Sequence, residues 1–425
     1  MKRSAALLAI VVATTLAVSA CGRTDAPEDD GRMTIDDTPA TGEITVWTAG
    51  GNGAKLEPFV AAFEADNPDA TIEVTDIPWN EVTTKIRSAL AAGTEPDLVL
   101  IGLPDVAMLI ATDEFQPVAD GVVDASGILS DVQEATEHDG LSYAVPWFVE
   151  TRLFCYRKDF AALAGATAPT TWDELLAFSD DLRTLGTIET PLLVPIGPDQ
   201  RVGEFLMPLL AQAGGSAMND DGTAFTLDTP EMVSALEFYG RLFAEGHASP
   251  GGTTGGNPIG DALAGRIAAF YVGTWIIPAI VTQVGQAMVD SAVACITVPA
   301  GSAGNASHLG AATWAVPRDA ENADGAFKFV RSLVSLEAQQ ALFDATHELP
   351  ALTAAWEHPP LQDDPWIATA LTQLDSVVTN PPVPSWSELE QTVGAEAEKV
   401  ARGTSTPEQA AAAMQQKADE LGVGW

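Results

Sequence analysis

The chain has 425 residues, 46% of them hydrophobic, and sets 59 acidic against 20 basic side chains for a formal net charge of −39. Such a surface, taken as a whole, excludes nucleic acid and anionic lipid headgroups as partners, because it repels both. The five histidines (138, 247, 308, 347 and 358) show no metal-ligand spacing, so no metal or cofactor is expected.

The N-terminus reads as a secretory signal: Lys2 and Arg3, an apolar run over 5–18, then small residues. The run is shorter than the ~20 residues a transmembrane helix needs. It ends in Val18-Ser19-Ala20-Cys21, which resembles the lipobox of bacterial lipoproteins, where the signal is cut before the cysteine and that cysteine carries a lipid. Residues 1–20 are then the expected signal peptide, and Cys21 the expected membrane anchor, carrying palmitate. Residues 21–42 are polar, rich in Asp and Pro, and read as a flexible tether. The expected location is the extracytoplasmic face of a bacterial cell membrane. Roughly 380 residues remain, enough for two domains or lobes.

"EITVWTAG" (43–50) alternates and predicts a strand ending in glycines. Leu56, Phe59, Val60 and Phe63 fall on one face of a helix stopped by Asn67-Pro68. "ATIEVTDI" predicts a second strand, "NEVTTKIRSALAAG" a helix ended by Gly93, and "PDLVLIG" a strand apolar on both faces. This alternation predicts an α/β lobe with a parallel sheet. "TTWDELLAFSDDLRTLG" places Thr171 and Glu174 in capping-box spacing before a helix ended by Gly186. A hairpin is expected around Asp221-Gly222, then a helix with Thr229 as N-cap, Pro230 in its first turn and Gly246 as its stop. "GGTTGGNP" (251–258) lacks the lysine of a phosphate-binding loop and reads as a mobile loop. "RIAAFYVGTWII", "VACITVP" and "HLGAATWAVP" read as strands, followed by two or three helices. Cys155 and Cys295 both lie in strand-like runs, and one disulfide or two buried thiols fit equally well.

Enzyme signatures are missing. There is no Gly-x-Ser-x-Gly elbow, and "HELP" (347–350) lacks the second histidine of a zinc-protease helix. Carboxylate pairs are uninformative in so acidic a chain. Two other features ask for a ligand. "YAVPWFVETRLFCYRKDF" (143–160) is an aromatic-rich strand that nevertheless carries Glu150 and Arg152, and buried charges are costly without partners. Tryptophans 47, 79, 147, 275, 314 and 386 lie near strand ends or beside glycines and carboxylates. That placement suits a cleft that stacks on sugar faces and bonds to hydroxyls, although any one of them equally suits a core.

Taken in order, "ITVWTAGG", "FEADNPDATIEV", "KIRSALAAGTEPDLVL", "YAVPWFVETRLFCYRKDF", "TTWDELLAF", "ALEFYGRLFAEG", "GRIAAFYVGTWI", "LGAATWAVP" and "AFKFVRSLVSLEAQQALF" resemble the extracellular solute-binding proteins of ABC importers, the family that includes the maltose-binding protein. The resemblance covers about 43–422. It implies a two-lobed α/β fold of the periplasmic-binding-protein kind, each lobe a mainly parallel sheet flanked by helices, with ligand held at the hinge. The N-terminal lobe would comprise 43–148 and 300–350, the C-terminal lobe 149–299 and 351–425. Glu150 matches a sugar-contacting glutamate on the first crossover strand, with Arg152 able to pair with it in the empty state. Trp275 matches the stacking tryptophan of the family's "GPW" motif, with Thr274 in place of the proline. Asp105 falls near a cluster of polar sugar contacts, but Val106 replaces the arginine usual beside it. Gln200, Arg201 and Glu204 belong to a further contact loop. Trp47, Gly50, Gly51, Asn52, Trp79 and Gly310 complete the expected binding set, and Trp386 lies near a C-terminal aromatic pair that is otherwise not reproduced.

The expectation is a lipid-anchored, monomeric receptor without enzymatic activity. It would capture a di- or oligosaccharide, or a derivative, and deliver it to the transmembrane subunits of an ABC permease. The same fold holding an amino sugar, a glycerophosphodiester, a polyamine or a peptide is the first alternative. An extracytoplasmic glycoside hydrolase and an adhesive lipoprotein are the others.

Overall fold

The computed structural model describes residues 32–425 except 189, 198–199, 252–260, 263 and 275. The signal, Cys21, Trp275 and most of the glycine-rich 251–258 loop lie outside the described residues. Strand β1 (Gly42–Ala49) pairs in parallel with β2 (Ala70–Ile77) and with β3 (Leu98–Gly102). Helices Asn52–Asp66 and Trp79–Ala92 make the crossovers. The first buries Leu56 and Phe63, as its periodicity predicts. The second ends at Gly93, whose left-handed backbone (φ 63°) lets its N–H reach the carbonyls of Ala89 and Leu90. All five residues of β3 are buried, because the strand is covered on both faces.

A small hairpin, β4 (Glu137–His138) and β5 (Leu141–Ser142), precedes the strand that organises the molecule, β6 (Val145–Arg157). The remaining strands are β7 (Leu192–Leu193), β8 (Ala269–Gly273), β9 (Val293–Ile296), β10 (Ser307–Ala315), β11 (Leu349–Pro350) and β12 (Val377–Val378). The main path runs β2-β1-β3-β10-β6-β8-β7, with β9 and β11 also on β6 and β12 on β10. Up to Thr151, β6 pairs antiparallel with β10; from Arg152 onward it pairs antiparallel with β8, and from Phe154 also with β9. One strand therefore belongs to both lobes and changes partners between Thr151 and Arg152. Strand β10 makes the return crossing and is buried along its whole length.

Each lobe has its own core. In the first, Ile44, Val46, Leu100, Trp147, Trp314 and Phe329 pack on one face of the sheet, and Ile77, Val99, Ile101 and Phe343 on the other. Leu349, Ala351, Leu361 and Ile367 join this second face, so the chain near 349–367 rests on the first lobe. Trp147 and Trp314, 5.4 Å apart between ring centroids, fill the core and not the cleft. In the second lobe, helices Gln200–Gln212, Pro230–Ala244, Trp386–Ala401 and Pro407–Leu421 pack together around Leu206, Leu236, Tyr239, Trp386 and Met414.

Local details follow the expected capping chemistry. Thr171 accepts from the Glu174 N–H, but the Glu174 carboxylate turns to the N–H and hydroxyl of Thr170 instead of closing the box on Thr171. Thr229 caps Pro230–Ala244. Asp221-Gly222 forms a turn closed by an isolated bridge between Met218 and Phe225. Three expectations change. The last residues of the expected tether, 21–42, are packed on the first lobe: Ile35 and Ala40 are buried and Asp36 pairs with Lys328 at 3.0 Å. "RIAAFYVGTWII" is a strand only to Gly273, and helix Ile276–Val284 follows; Pro278 sits in its first turn, where no N–H is needed. After β10 the described residues hold five helices of at least ten residues instead of two or three. The alanine-rich C-terminus conceals their boundaries.

The alternative left open by the cysteines is settled in the structure. Cys155 on β6 stands opposite Cys295 on β9, and the two form a disulfide between positions 140 apart in the chain. A crosslink over so long a loop restrains the unfolded chain strongly. Cys155→Ala with Cys295→Ala is expected to cost about 2–4 kcal/mol, read as a lower urea midpoint with a steeper slope, because the freed unfolded chain exposes more surface. Equal midpoints would show that the bond contributes no stability.

Candidate functional site

Alternation along β6 determines what faces the space between the lobes. Phe148, Glu150 and Arg152 point to one side, while Val149, Thr151 and Leu153 point to the other and are buried. On β10, His308, Gly310 and Ala312 share the side of Glu150, with Gly310 directly opposite it. A Cβ at Gly310 would sit 3.0 Å from the Glu150 carboxylate, so the glycine makes room for this side chain. These six residues floor a cavity of about 410 Å3 that is walled by both lobes.

The first lobe contributes Gly50, Asn52, Lys55, Trp79, Gly102 and Asp105 to the walls. Trp79 begins its helix and lies across two glycines: a Cβ on Gly50 or on Gly102 would come within 3.2 Å of its indole. Held there, the ring is still 38% exposed and lines the cavity. It is a platform of the kind that stacks on a flat apolar face. The second lobe contributes Arg201 and Glu204, one turn apart on helix Gln200–Gln212. A second compartment of about 460 Å3 adjoins this one and shares Arg152, Arg201, Glu204 and His308 with it; Phe205, Leu209, Tyr271 and Ile276 make it largely apolar.

Arg152 accounts for the charges in the strand. Its guanidinium reaches Glu150 at 2.8 Å and Glu204 at 2.6 Å, bracing the crossover strand against the second lobe. Burial by itself would lower the Arg152 pKa, but the two carboxylates overcome this and raise it. His308 is pushed down to about 3 by burial and by the Arg152 cation beside it, against the opposing pull of Glu150, so it is neutral. Lys55 pairs with the buried Glu348 at 2.6 Å and lies 5.6 Å from the Phe148 ring. Burial raises the Glu348 pKa, Lys55 opposes this, and Glu150 adds to the rise. The Asn52 Oδ1 and Glu348 Oε2 atoms are buried acceptors with no hydrogen-bond donor.

Between the lobes, Asp105 accepts from Thr83 of its own lobe at 2.7 Å and from Ser387 of the other at 3.4 Å. One turn beyond Ser387, the Glu390 carboxylate lies on the backbone at Gly203, where any Cβ would overlap it, and accepts from Asn380 at 3.1 Å.

Of the residues expected in the site, Gly50, Asn52, Trp79, Asp105, Glu150, Arg152, Arg201, Glu204 and Gly310 are brought together around this cavity. Gly51 is not among its walls; its N–H bonds to Asp76. Trp47 packs half-buried on the first lobe's core, with the Lys85 ammonium 5.6 Å from its ring. Trp386 is fully buried in the second lobe beside Phe225, because it starts the apolar stripe Trp386, Leu389, Val393, Ala397 and Val400; its neighbour Ser387 faces the other lobe instead. Gln200 begins its helix, and Trp275 lies outside the described residues. Sequence reasoning missed Lys55, Phe148, His308, Glu348 and Glu390. Phe148 and His308 were within reach of it, being two residues from Glu150 and Gly310 on strands of period two. Glu348 lies in "HELP", weighed only as a zinc motif.

Burial, then the neighbouring Glu204 and Asp105, push the Glu390 carboxyl from its ordinary 4.5 up to about 9. Burial likewise raises Asp105, against its bonds to Thr83 and Ser387. The native state thus keeps a proton on Glu390 that the unfolded chain releases above about 4.5. The stability linked to that proton is fully present below this pH and is lost as pH rises toward about 9. The thermal midpoint is expected to fall from pH 5 to pH 9, and Glu390→Gln to flatten this slope. Equal slopes in both proteins would contradict the burial of this carboxyl.

The model of the bacterial extracellular solute-binding proteins matches residues 59–369. A protein of Brucella abortus named as a binding protein is 27% identical over 206 residues, 48% of this chain and 49% of its own length; the chain thus spans about half the length of such relatives. The diacetylchitobiose-binding protein DasA of Streptomyces coelicolor is 24% identical over 401 residues, 92% of this chain and 91% of its own. The GacH receptor of Streptomyces glaucescens, solved unliganded and with acarbose, superposes with a TM-score of 0.81 at 23% identity, covering 90% of this chain and 98% of its own, so the folds agree. The relatives and fold neighbours are substrate-binding proteins, not enzymes. With its two lobes, its shared crossover strand and the cleft between them, the chain belongs to the bacterial extracellular solute-binding proteins.

Proposed function

We propose that the protein captures a carbohydrate between its lobes and delivers it to the permease of an ABC importer, displayed outside the cell on a lipid carried by Cys21. The observation that carries this reading is the cavity on β6 and β10, where an exposed tryptophan platform faces a floor of fixed carboxylates and a guanidinium. A sugar offers the matching surfaces, C–H faces for the ring and hydroxyls for the charges. Relatives support the solute class: the names of two refer to diacetylchitobiose and to maltooligosaccharide, and the second is called an ABC transporter solute-binding lipoprotein.

In this reading the lobes swing about the crossover between Thr151 and Arg152, and the ligand favours the closed form because only there do both walls contact it. The Glu150–Arg152–Glu204 brace keeps the polar floor in place before ligand arrives, which limits the ordering cost of binding. Trp275 remains a proposed second stacking partner; its neighbours Gly273 and Ile276 line the apolar compartment. The protein acts as a monomer.

A thermal-shift screen of residues 32–425 against mono-, di- and trisaccharides tests the solute class. A ligand at 100 times its Kd adds about 2.7 kcal/mol to stability, enough to raise the midpoint by degrees. Trp79→Ala is expected to weaken the best sugar at least tenfold by calorimetry while leaving the unliganded midpoint within a degree or two, since the ring is partly exposed. No shift from any sugar, or full affinity in the variant, would overturn the reading or the site respectively.

A further inference from the structure

The charge arrangement of the cavity narrows the carbohydrate class, an inference that rests on the carbohydrate reading above. Asp105, Glu150, Glu204 and Glu348 line it against three cations, Lys55, Arg152 and Arg201, and outside this lining Glu390 lies against the backbone of Gly203, next to Glu204 in the chain. Lys55 holds Glu348, and Arg152 holds both Glu150 and Glu204. Among the described residues, Asp105 is held by Thr83 and Ser387, and Glu390 by Asn380 and Trp386, all of them neutral donors. These two carboxyls and Glu204 are near enough for Glu204 and Asp105 both to raise the Glu390 pKa, at the point where Asp105 of the first lobe contacts Ser387 of the second. Elsewhere on the wall, Asn52 Oδ1 and Glu348 Oε2 are acceptors without donors, on residues 4% and 2% exposed. The whole cavity thus asks for a ligand that donates hydrogen bonds and brings positive charge.

We infer that the ligand is an amino sugar with a free, protonated amine, seated with its ammonium against Asp105 and Glu204 and its hydroxyls toward Asn52 and Glu348. An ammonium offers three donors and a charge, and at Asp105 it meets a carboxyl that is bonded by the hydroxyls of Thr83 and Ser387 and by no ion pair among the described residues. An N-acetylated or plain hydroxyl sugar offers one donor there and no charge. Burial holds a proton on Glu390 and raises the Asp105 pKa, so an ammonium seated at Asp105 favours the charged carboxylates and displaces a proton to solvent. Binding of the amine is therefore linked to proton release, whereas binding of a neutral sugar is not.

The probes are the β-1,4-linked glucosamine dimer and its di-N-acetylated counterpart, titrated calorimetrically into the protein at pH 6 and in two buffers of different ionisation enthalpy. The amine dimer is expected to bind at least tenfold more tightly and to release protons, and the preference is expected to shrink at least tenfold in both Asp105→Asn and Glu390→Gln. Tighter binding of the acetylated dimer or of any neutral sugar would overturn this inference and leave the carbohydrate reading standing. So would a preference that survives in both variants. Binding of no sugar, aminated or neutral, would overturn both.

Discussion

The guanidinium of Arg152 is the interaction on which the site depends. It is placed by a strand that two lobes share, so it cannot leave the boundary between them, and it is buried there with two carboxylates. Ion pairs of this kind seldom stabilise a fold more than apolar residues of the same size would. What they fix is geometry. Glu150 comes from the crossover strand and Glu204 from a helix of the second lobe, so one cation sets the distance between a strand and a helix whose backbones do not pair. Removing it would leave two buried carboxylates facing each other, a much worse state than never having had the pair.

Around that brace the molecule separates tasks cleanly. Tryptophans 147, 314 and 386 and the aromatic rings near them are packing material, each buried in one lobe or the other. In the proposed function, recognition falls to residues with poor packing value at the lobe edges: a tryptophan lying on glycines, an asparagine at a helix start, and carboxylates of the cavity wall. Glycines 50, 102, 203 and 310 are there for room, since at each a Cβ would press on Trp79, Glu390 or Glu150. The cleft is crowded by design of its neighbours, and small residues are the only ones that fit beneath the side chains that act.

Much of this was legible from the chain. Strict alternation and unbroken apolar runs gave away β1, β2 and β3, and a carboxylate with a guanidinium in an aromatic strand marked β6 before any fold was known. Nine of the expected site residues line one cavity. The failures have physical reasons. A tryptophan beside a carboxylate looks the same whether it faces a core or a cleft, and only the helical stripe from Trp386 to Val400 distinguishes them. Residues such as Lys55 and Glu348, 293 positions apart, become partners through tertiary closure that no local pattern encodes. Glu390 reads as a solvated helix acid until Gly203 is packed against it.

Sharing β6 has a mechanical consequence. Two lobes joined by one flexible link would tumble through three rotational freedoms, but here β6 and β10 cross together, bonded side by side from Val145 to Thr151. A ribbon of two bonded strands bends and twists far more easily than it shears, so the relative motion of the lobes reduces to something close to a single coordinate. The disulfide at Cys155 ties β6 to β9 just past the bend, within the second lobe, and so confines the deformation of β6 to a few residues. For such a hinge, one distance between two labels reports the entire excursion, and the opening amplitude becomes a property of a short piece of backbone.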